Sequence, residues 1–198
     1  MTAAERREQL IEIGCQLFAE RGVEGTSVEE IAARAQVSKP VVYEHFGGKE
    51  GLYAVVVDRE VRRLLDLVRS ALTAGDPREL LEQAAFALLD YIEGSSDGFR
   101  ILVRDSPVGS GAGSFVSIMG DIASRVEHIL AGEFKGRGFD TTYAPMYAQM
   151  LVGMVATTGQ WWLDERQPAK DVVAAHLCNL AWNGLSGLRT DPRLVTPR

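Results

Sequence analysis

The chain has 198 residues, of which 46% are hydrophobic and 24% charged, and its formal net charge is −6 at pH 7. That length suits one domain, or a small domain joined to a larger one, in an ordinary globular protein. No apolar run approaches the roughly eighteen residues of a membrane span, and the charged N-terminus leads into no signal-peptide core, so we expect a cytoplasmic protein without a membrane partner.

The first predicted helix runs from about Ala3 to Arg21 and ends at Gly22. Ser27 and Glu30, three residues apart, form a capping-box pattern at the start of the next helix. Thr26, just before that cap, adds a hydroxyl and a backbone N–H at the same helix end. Because a helix N-terminus attracts anions, we expect that Thr26 and Ser27 can hold a phosphate group.

The apolar spacing of residues 28–45 predicts two short helices joined by a tight turn. This arrangement is a helix-turn-helix, whose second helix fits the major groove of DNA. The second helix would bury Val42 and Phe46. Three of its side chains would face outward: Lys39, Val41 and Tyr43. Lys39 can donate to guanine, and Val41 can contact a thymine methyl group.

The negative charge of this region limits how it can bind DNA. Residues 1–50 carry nine acidic and six basic side chains. Phosphate binding therefore needs a local basic patch, with Lys39 and Lys49 facing the duplex. We expect few charged phosphate contacts and a shallow dependence of affinity on salt.

The sequence GTSVEEIAARAQVSKPVVYEHFGGKEGLY resembles the N-terminal signature of the tetracycline-repressor (TetR) family over roughly residues 5–60. The matching positions are Gly25-Thr26, Ile31-Ala32, Val37-Ser38-Lys39, Tyr43, His45-Phe46, Lys49-Glu50 and Leu52. The resemblance implies an all-α fold, with a three-helix DNA-binding head over residues 1–48 and a larger helical ligand-binding and dimerisation domain over residues 49–198. It also implies that Tyr43, His45 and Lys49 contact phosphates. The full set of expected DNA contacts is Thr26, Ser27, Ser38, Lys39, Pro40, Val41, Tyr43, His45 and Lys49.

Three residues of the helix-turn-helix are unusual for that signature. Gln36 stands where the family usually has glycine, so a left-handed turn there would cost about 1 kcal/mol. Pro40 falls in the first turn of the second helix if Ser38 is the cap, where its missing N–H breaks no helical bond. Glu44 would repel phosphate, so we expect it to point sideways or to accept from cytosine N4.

The remaining sequence predicts a long helix from about Lys49 to Ala74 and further helices near 77–94, 97–106, 114–135, 140–165 and 168–188. The Gly-rich stretch 107–114 reads most simply as a flexible connection. The alternative is a buried strand at 99–103 that feeds a nucleotide-binding glycine loop. That alternative is weak, because no Gly-Lys-Ser/Thr ending and no second βα unit follow.

Aromatic, methionine and a few ionisable side chains in the central helices predict an effector pocket or, alternatively, ordinary core packing. The pocket candidates are Phe86, Tyr91, Arg104, Phe115, Met119, Tyr147, Met150 and Met154. Because few of them are ionisable, we expect a mostly apolar effector. Small and apolar residues of the last two helices are the candidates for a dimer interface: Gly153, Ala156, Trp161, Leu177, Leu180 and Gly184.

The cysteines and histidines predict neither a disulfide nor a metal site. Cys15 and Cys178 each lie in an apolar helical pattern, which favours buried reduced thiols, with redox sensing as the weaker alternative. The three histidines have no metal-ligand spacing, and no serine nucleophile motif with triad partners stands out. We therefore expect no metal, no cofactor and no catalytic residue, and a helical enzyme is a remote alternative.

The resemblance implies a homodimeric repressor that binds a palindromic operator in double-stranded DNA and is released by a small molecule in its second domain. Two heads of a dimer match two half-sites. The predicted helix from Lys49 is the natural link between effector and head. A ligand-independent regulator, or one that needs its ligand to bind DNA, stays open as an alternative.

Overall fold

The computed structural model describes residues 1–72, 75–104 and 115–193, and of residues 115 and 116 it describes the backbone alone. These residues form α-helices and one short 3₁₀ turn, with no strand among them. The helices are α1 (Ala3–Arg21), α2 (Val28–Arg34), α3 (Lys39–Phe46), α4 (Lys49–Ala71), α5 (Pro77–Gly94), α6 (Ser96–Arg104), α7 (Phe115–Arg137), α8 (Ala144–Glu165) and α9 (Lys170–Ser186), and the 3₁₀ turn is Thr141–Tyr143. The predicted all-α fold is confirmed.

One alternative from the sequence is wrong. Residues 99–103, which a nucleotide-binding loop would need as a strand, lie inside helix α6. The Gly-rich stretch 107–114, predicted as a flexible connection, lies outside the described residues. None of the helices in the described part of the chain is long and apolar enough to cross a membrane.

The chain divides into two compact units. The first consists of Met1–Asp66 and Tyr91–Ser117, and the second of Leu67–Asp90 and Ile118–Arg198. The divisions fall inside α4, α5 and α7, so packing does not separate the chain at residue 48. The boundary at residue 48 remains a prediction about function, since most of α4 and all of α6 pack with the head.

The first unit has a closely packed apolar core. Phe18 of α1, Ile31 of α2 and Val42 of α3 are fully buried in it, together with Leu52 of α4. Gly14 lets α4 approach α1, because a Cβ at that position would lie 2.8 Å from a methyl carbon of Leu52. The helix-turn-helix therefore packs on α1 and α4 through one shared buried core.

A buried carboxylate joins three helices of the same unit. Glu60 of α4 is 1% exposed. The hydroxyls of Tyr91 and Ser95 donate to its Oε2 at 2.8 and 2.9 Å, and Arg59 Nε donates to its Oε1 at 3.4 Å. A Cβ at Gly98 of α6 would collide with the same carboxylate. Burial, followed by the charge of Glu60, raises the pKa of Tyr91, so its hydroxyl stays a donor.

The second unit packs around small and aromatic residues. Ala144 and Ala148 of α8 are buried against Leu130 and Phe134 of α7. The ring of Phe134 meets the ring of Tyr147 edge-on at 5.4 Å between centroids. Side-chain packing between small and aromatic residues thus joins α7 and α8.

Both cysteines are free and buried, as predicted. Burial, followed by the charges of Glu60 and Asp97, raises the pKa of Cys15 to about 12. Burial also raises the pKa of Cys178. Since the thiolate is the reactive form, burial favours the protonated, less reactive form of both thiols at neutral pH.

Candidate DNA-reading surface and effector cavity

The α2–α3 turn presents α3 in the way the sequence predicts. Gln36 adopts a left-handed conformation with φ 55°. Its N–H donates to Ala33 O at 3.1 Å, and the N–H of Val37 donates to Ala32 O at 2.9 Å. These two bonds are a Schellman motif, which ends α2 and reverses the chain. The left-handed conformation considered for Gln36 is observed, and for a residue other than glycine it costs about 1 kcal/mol.

The N-terminal end of α3 is exposed and free of a side-chain cap. Ser38 occupies the cap position in an extended conformation, but its hydroxyl makes no capping hydrogen bond. Pro40 lies in the first turn, as predicted. Ser38, Lys39 and Pro40 are all exposed. The first backbone N–H groups of α3 and these side chains thus form a surface that an anion or a base edge can reach.

Lys39 is held by a carboxylate of the neighbouring helix. Its Nζ forms an ion pair with Glu29 of α2, and both side chains are more than half exposed. The hydrogen bond from Lys39 lowers the pKa of Glu29. A base or phosphate that binds Lys39 must therefore compete with Glu29 for the ammonium group.

The remaining side chains of α3 differ in how far they are buried against the rest of the first unit. Tyr43 is 54% exposed, while Val42 is fully buried. Val41 was expected to face outward, but it is half-buried and packs against the core of the first unit, so less of it is available to a thymine methyl group. His45 is also half-buried, with its ring 6.0 Å from that of Phe46. Glu44 is exposed.

Three of the predicted phosphate contacts have hydrogen-bond partners inside the protein. Thr26 is 2% exposed, its hydroxyl donates to Gly22 O at 2.8 Å, and its N–H donates to Val23 O at 3.2 Å. The prediction that Thr26 contacts DNA is therefore wrong, because both of its donors are used inside the protein. Ser27 caps α2 through a reciprocal pair with Glu30. Lys49 Nζ donates to Val23 O at 3.0 Å, which ties α4 to the loop before α2.

A largely apolar cavity lies wholly within the second unit. Its empty volume is about 850 Å³, counting the part that opens to solvent. A concave surface lined mainly by apolar side chains is the usual chemistry of a small-molecule site. The lining residues are Val68, Leu72, Pro77, Leu80, Leu81, Ala84, Leu88, Met119, Ile122, Val126, Ile129, Leu130, Glu133, Leu151, Val152, Val155, Ala156 and Leu185.

The aromatic and methionine residues predicted to line a pocket mostly lie elsewhere. Met119 lines the cavity, whereas Tyr91 binds Glu60 in the first unit. Arg104 also belongs to the first unit, where it donates to Ala19 O at the end of α1 at 3.4 Å. Tyr147 packs on Phe134. The remaining candidates are Phe86 and Met154, which are half-buried outside the lining, Met150, which is exposed, and Phe115, whose side chain is outside the described residues.

The cavity lining is aliphatic, and its sequence signal is periodicity. Leu81, Ala84 and Leu88 follow helical spacing along α5, as do Ile122, Val126 and Ile129 along α7. Sequence reasoning favoured aromatic residues as pocket markers and passed over these faces. Aliphatic faces look the same whether they fill a core or surround a cavity.

Of the dimer candidates, four are exposed and two are not. Trp161 and Leu180 are 49% and 66% exposed, and Gly153 and Gly184 are exposed as well. Ala156 and Leu177 are buried within the protomer, so they offer a partner little surface and we do not carry them into the proposed interface. Further apolar side chains are exposed on the same helices. We call the set Met146, Met150, Trp161, Val172 and Leu180 the α8–α9 apolar face.

Both parts of the chain match one known family. Residues 10–56 match the bacterial regulatory proteins of the tetR family, and residues 67–193 match the tetracyclin repressor-like C-terminal domain. The chain belongs to the TetR family. Membership makes it a DNA-binding transcriptional regulator, and the relatives that share this fold are regulators rather than enzymes.

Relatives of this TetR-family chain match it over nearly all of its length. The transcriptional activator FasR of Mycolicibacterium smegmatis is 34% identical over 188 residues, which cover 92% of this chain and 84% of FasR. A TetR-like regulator from Rhodococcus sp. RHA1 has a crystal structure that superposes with a TM-score of 0.74 and 26% identity, covering 95% of this chain and all of that one. AibR, crystallised with isovaleryl coenzyme A and operator DNA, has the same fold, with a TM-score of 0.72 and 20% identity over 88% of this chain and 97% of AibR.

Proposed function

We propose that this regulator is a homodimer that binds a palindromic operator and is released from it by an apolar effector. The observation that carries the proposal is the cavity of the second unit, whose lining is almost entirely aliphatic, as small-molecule sites commonly are. Such a cavity gives the regulator a site at which a small-molecule effector can bind. A ligand there changes operator affinity if it binds the DNA-free conformation more tightly than the DNA-bound one.

The exposed end of α3 is the proposed reading surface. Lys39 reaches base edges in the major groove once it leaves Glu29, and Tyr43 and Ser38 contact phosphates. Ser27, His45 and Lys49 remain proposed phosphate contacts at the edge of this surface, and Pro40 stiffens its first turn. Val41 contributes only the part of its side chain that the head leaves exposed.

The α8–α9 apolar face is the proposed dimer interface. Large apolar side chains such as Trp161 and Leu180 stand half or more exposed there. Gly153 and Gly184, exposed on the same two helices, permit close approach of a partner helix. An interface formed by the same face on both protomers gives the two-fold symmetry that a palindromic operator requires.

The sign of regulation has a second candidate. FasR, which matches this chain over most of its length, is named an activator. In the same structural terms, a ligand that favours the DNA-bound conformation would strengthen operator binding. Transcription from a promoter carrying the operator, measured with purified polymerase, separates the two, since a repressor lowers the transcript and an activator raises it.

Selection of bound duplexes from a random-sequence pool tests the DNA-binding part of the proposal. The wild type should enrich an inverted repeat, because a dimer reads two half-sites. The double variant Lys39→Ala, Tyr43→Ala should lose that enrichment. Arg78→Ala, an exposed charge change in the second unit, is the matched control and should enrich the same repeat. Enrichment of the same repeat by the double variant would refute the assigned reading surface.

A further inference from the structure

The cavity offers a ligand almost no polar partner. Among the described residues that line it, Glu133 alone has a polar side chain, and all the others are aliphatic, proline or methionine. No lining side chain of that set donates a hydrogen bond. A carboxylate, phosphate or hydroxyl enclosed by these walls would lose its water without gaining a donor. The enclosed part of a ligand must therefore be hydrocarbon.

Glu133 lies where the cavity meets solvent. It is exposed, yet it belongs to the lining. Ile129 and Leu130, four and three residues earlier on α7, also line the cavity and place Glu133 on the same helix face. A chain that enters with its hydrocarbon end first leaves its head group near this carboxylate.

We infer that the cavity binds a neutral or cationic aliphatic molecule, and that Glu133 selects against an anionic head group. The inference rests on the proposed effector role of the cavity and adds the class of ligand. A hydroxyl or an ammonium head donates a hydrogen bond to Glu133. A carboxylate head has nothing to donate and is repelled by the like charge.

The hydrocarbon tail and the polar head group of the ligand contribute differently to its affinity for the cavity. Each additional buried CH₂ group should tighten binding about fourfold. Because Glu133 is exposed and screened by water, its charge should change the preference between heads only about two- to fivefold. Chain length thus sets the affinity, and Glu133 sets the choice between chains of equal length.

Calorimetric titration of the full-length protein with 1-decanol, decylamine and decanoate tests the inference. The wild type should bind decanol and decylamine about two- to fivefold more tightly than decanoate. Glu133→Gln should reduce the difference in affinity between decanol and decanoate. Glu133→Lys should reverse it, because an ammonium group attracts the carboxylate head. The position is exposed, so both variants should fold.

Two controls separate the cavity from general charge effects. Asp121→Lys changes the net charge by the same amount on the same helix, at an exposed position outside the lining, and should keep the wild-type preference. Ala84→Phe, with Val155→Phe as a second variant, fills the cavity and should abolish binding of all three probes.

The outcomes distinguish this inference from the proposed function. If wild type binds decanoate as tightly as decanol, or if Glu133→Lys behaves like Asp121→Lys, the head-group inference is wrong while the cavity keeps its role. If no probe binds the wild type, or if the filled variants bind as well as wild type, the effector cavity itself is refuted and this inference with it.

Discussion

The polar cluster around Glu60 in the first unit and the apolar cavity in the second differ in how completely their atoms are contacted. Glu60 is enclosed, and both of its oxygens accept hydrogen bonds from neighbouring side chains. The cavity walls, in contrast, leave aliphatic atoms without a protein neighbour. Complete packing and hydrogen bonding, as around Glu60, fix the positions of the surrounding helices. An unfilled apolar cavity, as in the second unit, leaves space that a ligand can occupy. On the proposed function, the hydrogen-bonded Glu60 cluster keeps the first unit rigid, and the cavity of the second unit receives the effector.

The largest expected effect is at Glu60. Glu60→Ala leaves the buried Tyr91 hydroxyl without its acceptor and opens a void, so the free energy of unfolding should fall by about 3 kcal/mol. Denaturant unfolding of the full-length protein measures this. Glu60→Gln keeps an acceptor and the volume and should cost clearly less. Equal losses for the two variants would show that the hydrogen bonds contribute little.

Added atoms should be costly in the first unit and tolerated in the second. Gly98→Ala places a methyl group against the Glu60 carboxylate and should lower stability by about 2 kcal/mol, although alanine favours the helix. Ala84→Phe adds a ring to the cavity and should change stability by no more than about 1 kcal/mol in either direction. Unfolding curves for both variants test the contrast, and a greater loss for Ala84→Phe would reverse it.

The strained turn before α3 should respond to glycine. Gln36→Gly removes the left-handed strain at an exposed position and should raise the free energy of unfolding by up to about 1 kcal/mol. The matched control is Gln83→Gly, an exposed position inside α5, where glycine should destabilise by about 1 kcal/mol. A loss of stability in Gln36→Gly would contradict the claim that the left-handed conformation of Gln36 costs free energy.

The smallest expected effect concerns the ion pair that holds Lys39. Glu29→Gln removes the competing carboxylate and should tighten operator binding about two- to fivefold, since the pair is exposed. Anisotropy of a labelled operator measures the affinity. Glu24→Gln, an exposed carboxylate in the loop before α2, is the matched control for net charge. Equal tightening by the two variants would assign the effect to net charge alone.

What the sequence predicts well is local. The left-handed Gln36, the Ser27–Glu30 cap and Pro40 in the first turn depend on residues within a few positions of one another, and all three are observed. The mistake at Tyr91 comes from a distant contact, because Tyr91 meets Glu60 thirty-one residues away. The mistake at Thr26 is one of burial: its hydroxyl bonds to Gly22 O only four residues away, but packing of the first unit leaves it 2% exposed.

The cavity could not be placed from the sequence, because an aliphatic helix face has the same residue pattern whether it packs in a filled core or lines a cavity. Val152 and Leu177 are both buried on helical faces, yet Val152 lines the cavity and Leu177 does not. Whether such a face is fully packed depends on the fit between helices that are far apart in the chain. Residue type and spacing along one helix do not show how well two helices fit together.

The most direct test of the account is an operator-binding measurement with the cavity open and filled. A labelled inverted repeat from the duplex selection is titrated with protein, with and without 1-decanol, for the wild type and for Ala84→Phe. We expect decanol to weaken operator binding by the wild type about tenfold and to leave the filled variant unchanged. An equal shift in both proteins, or no shift in a wild type that binds decanol by calorimetry, would contradict the claim that the cavity controls the DNA-binding head.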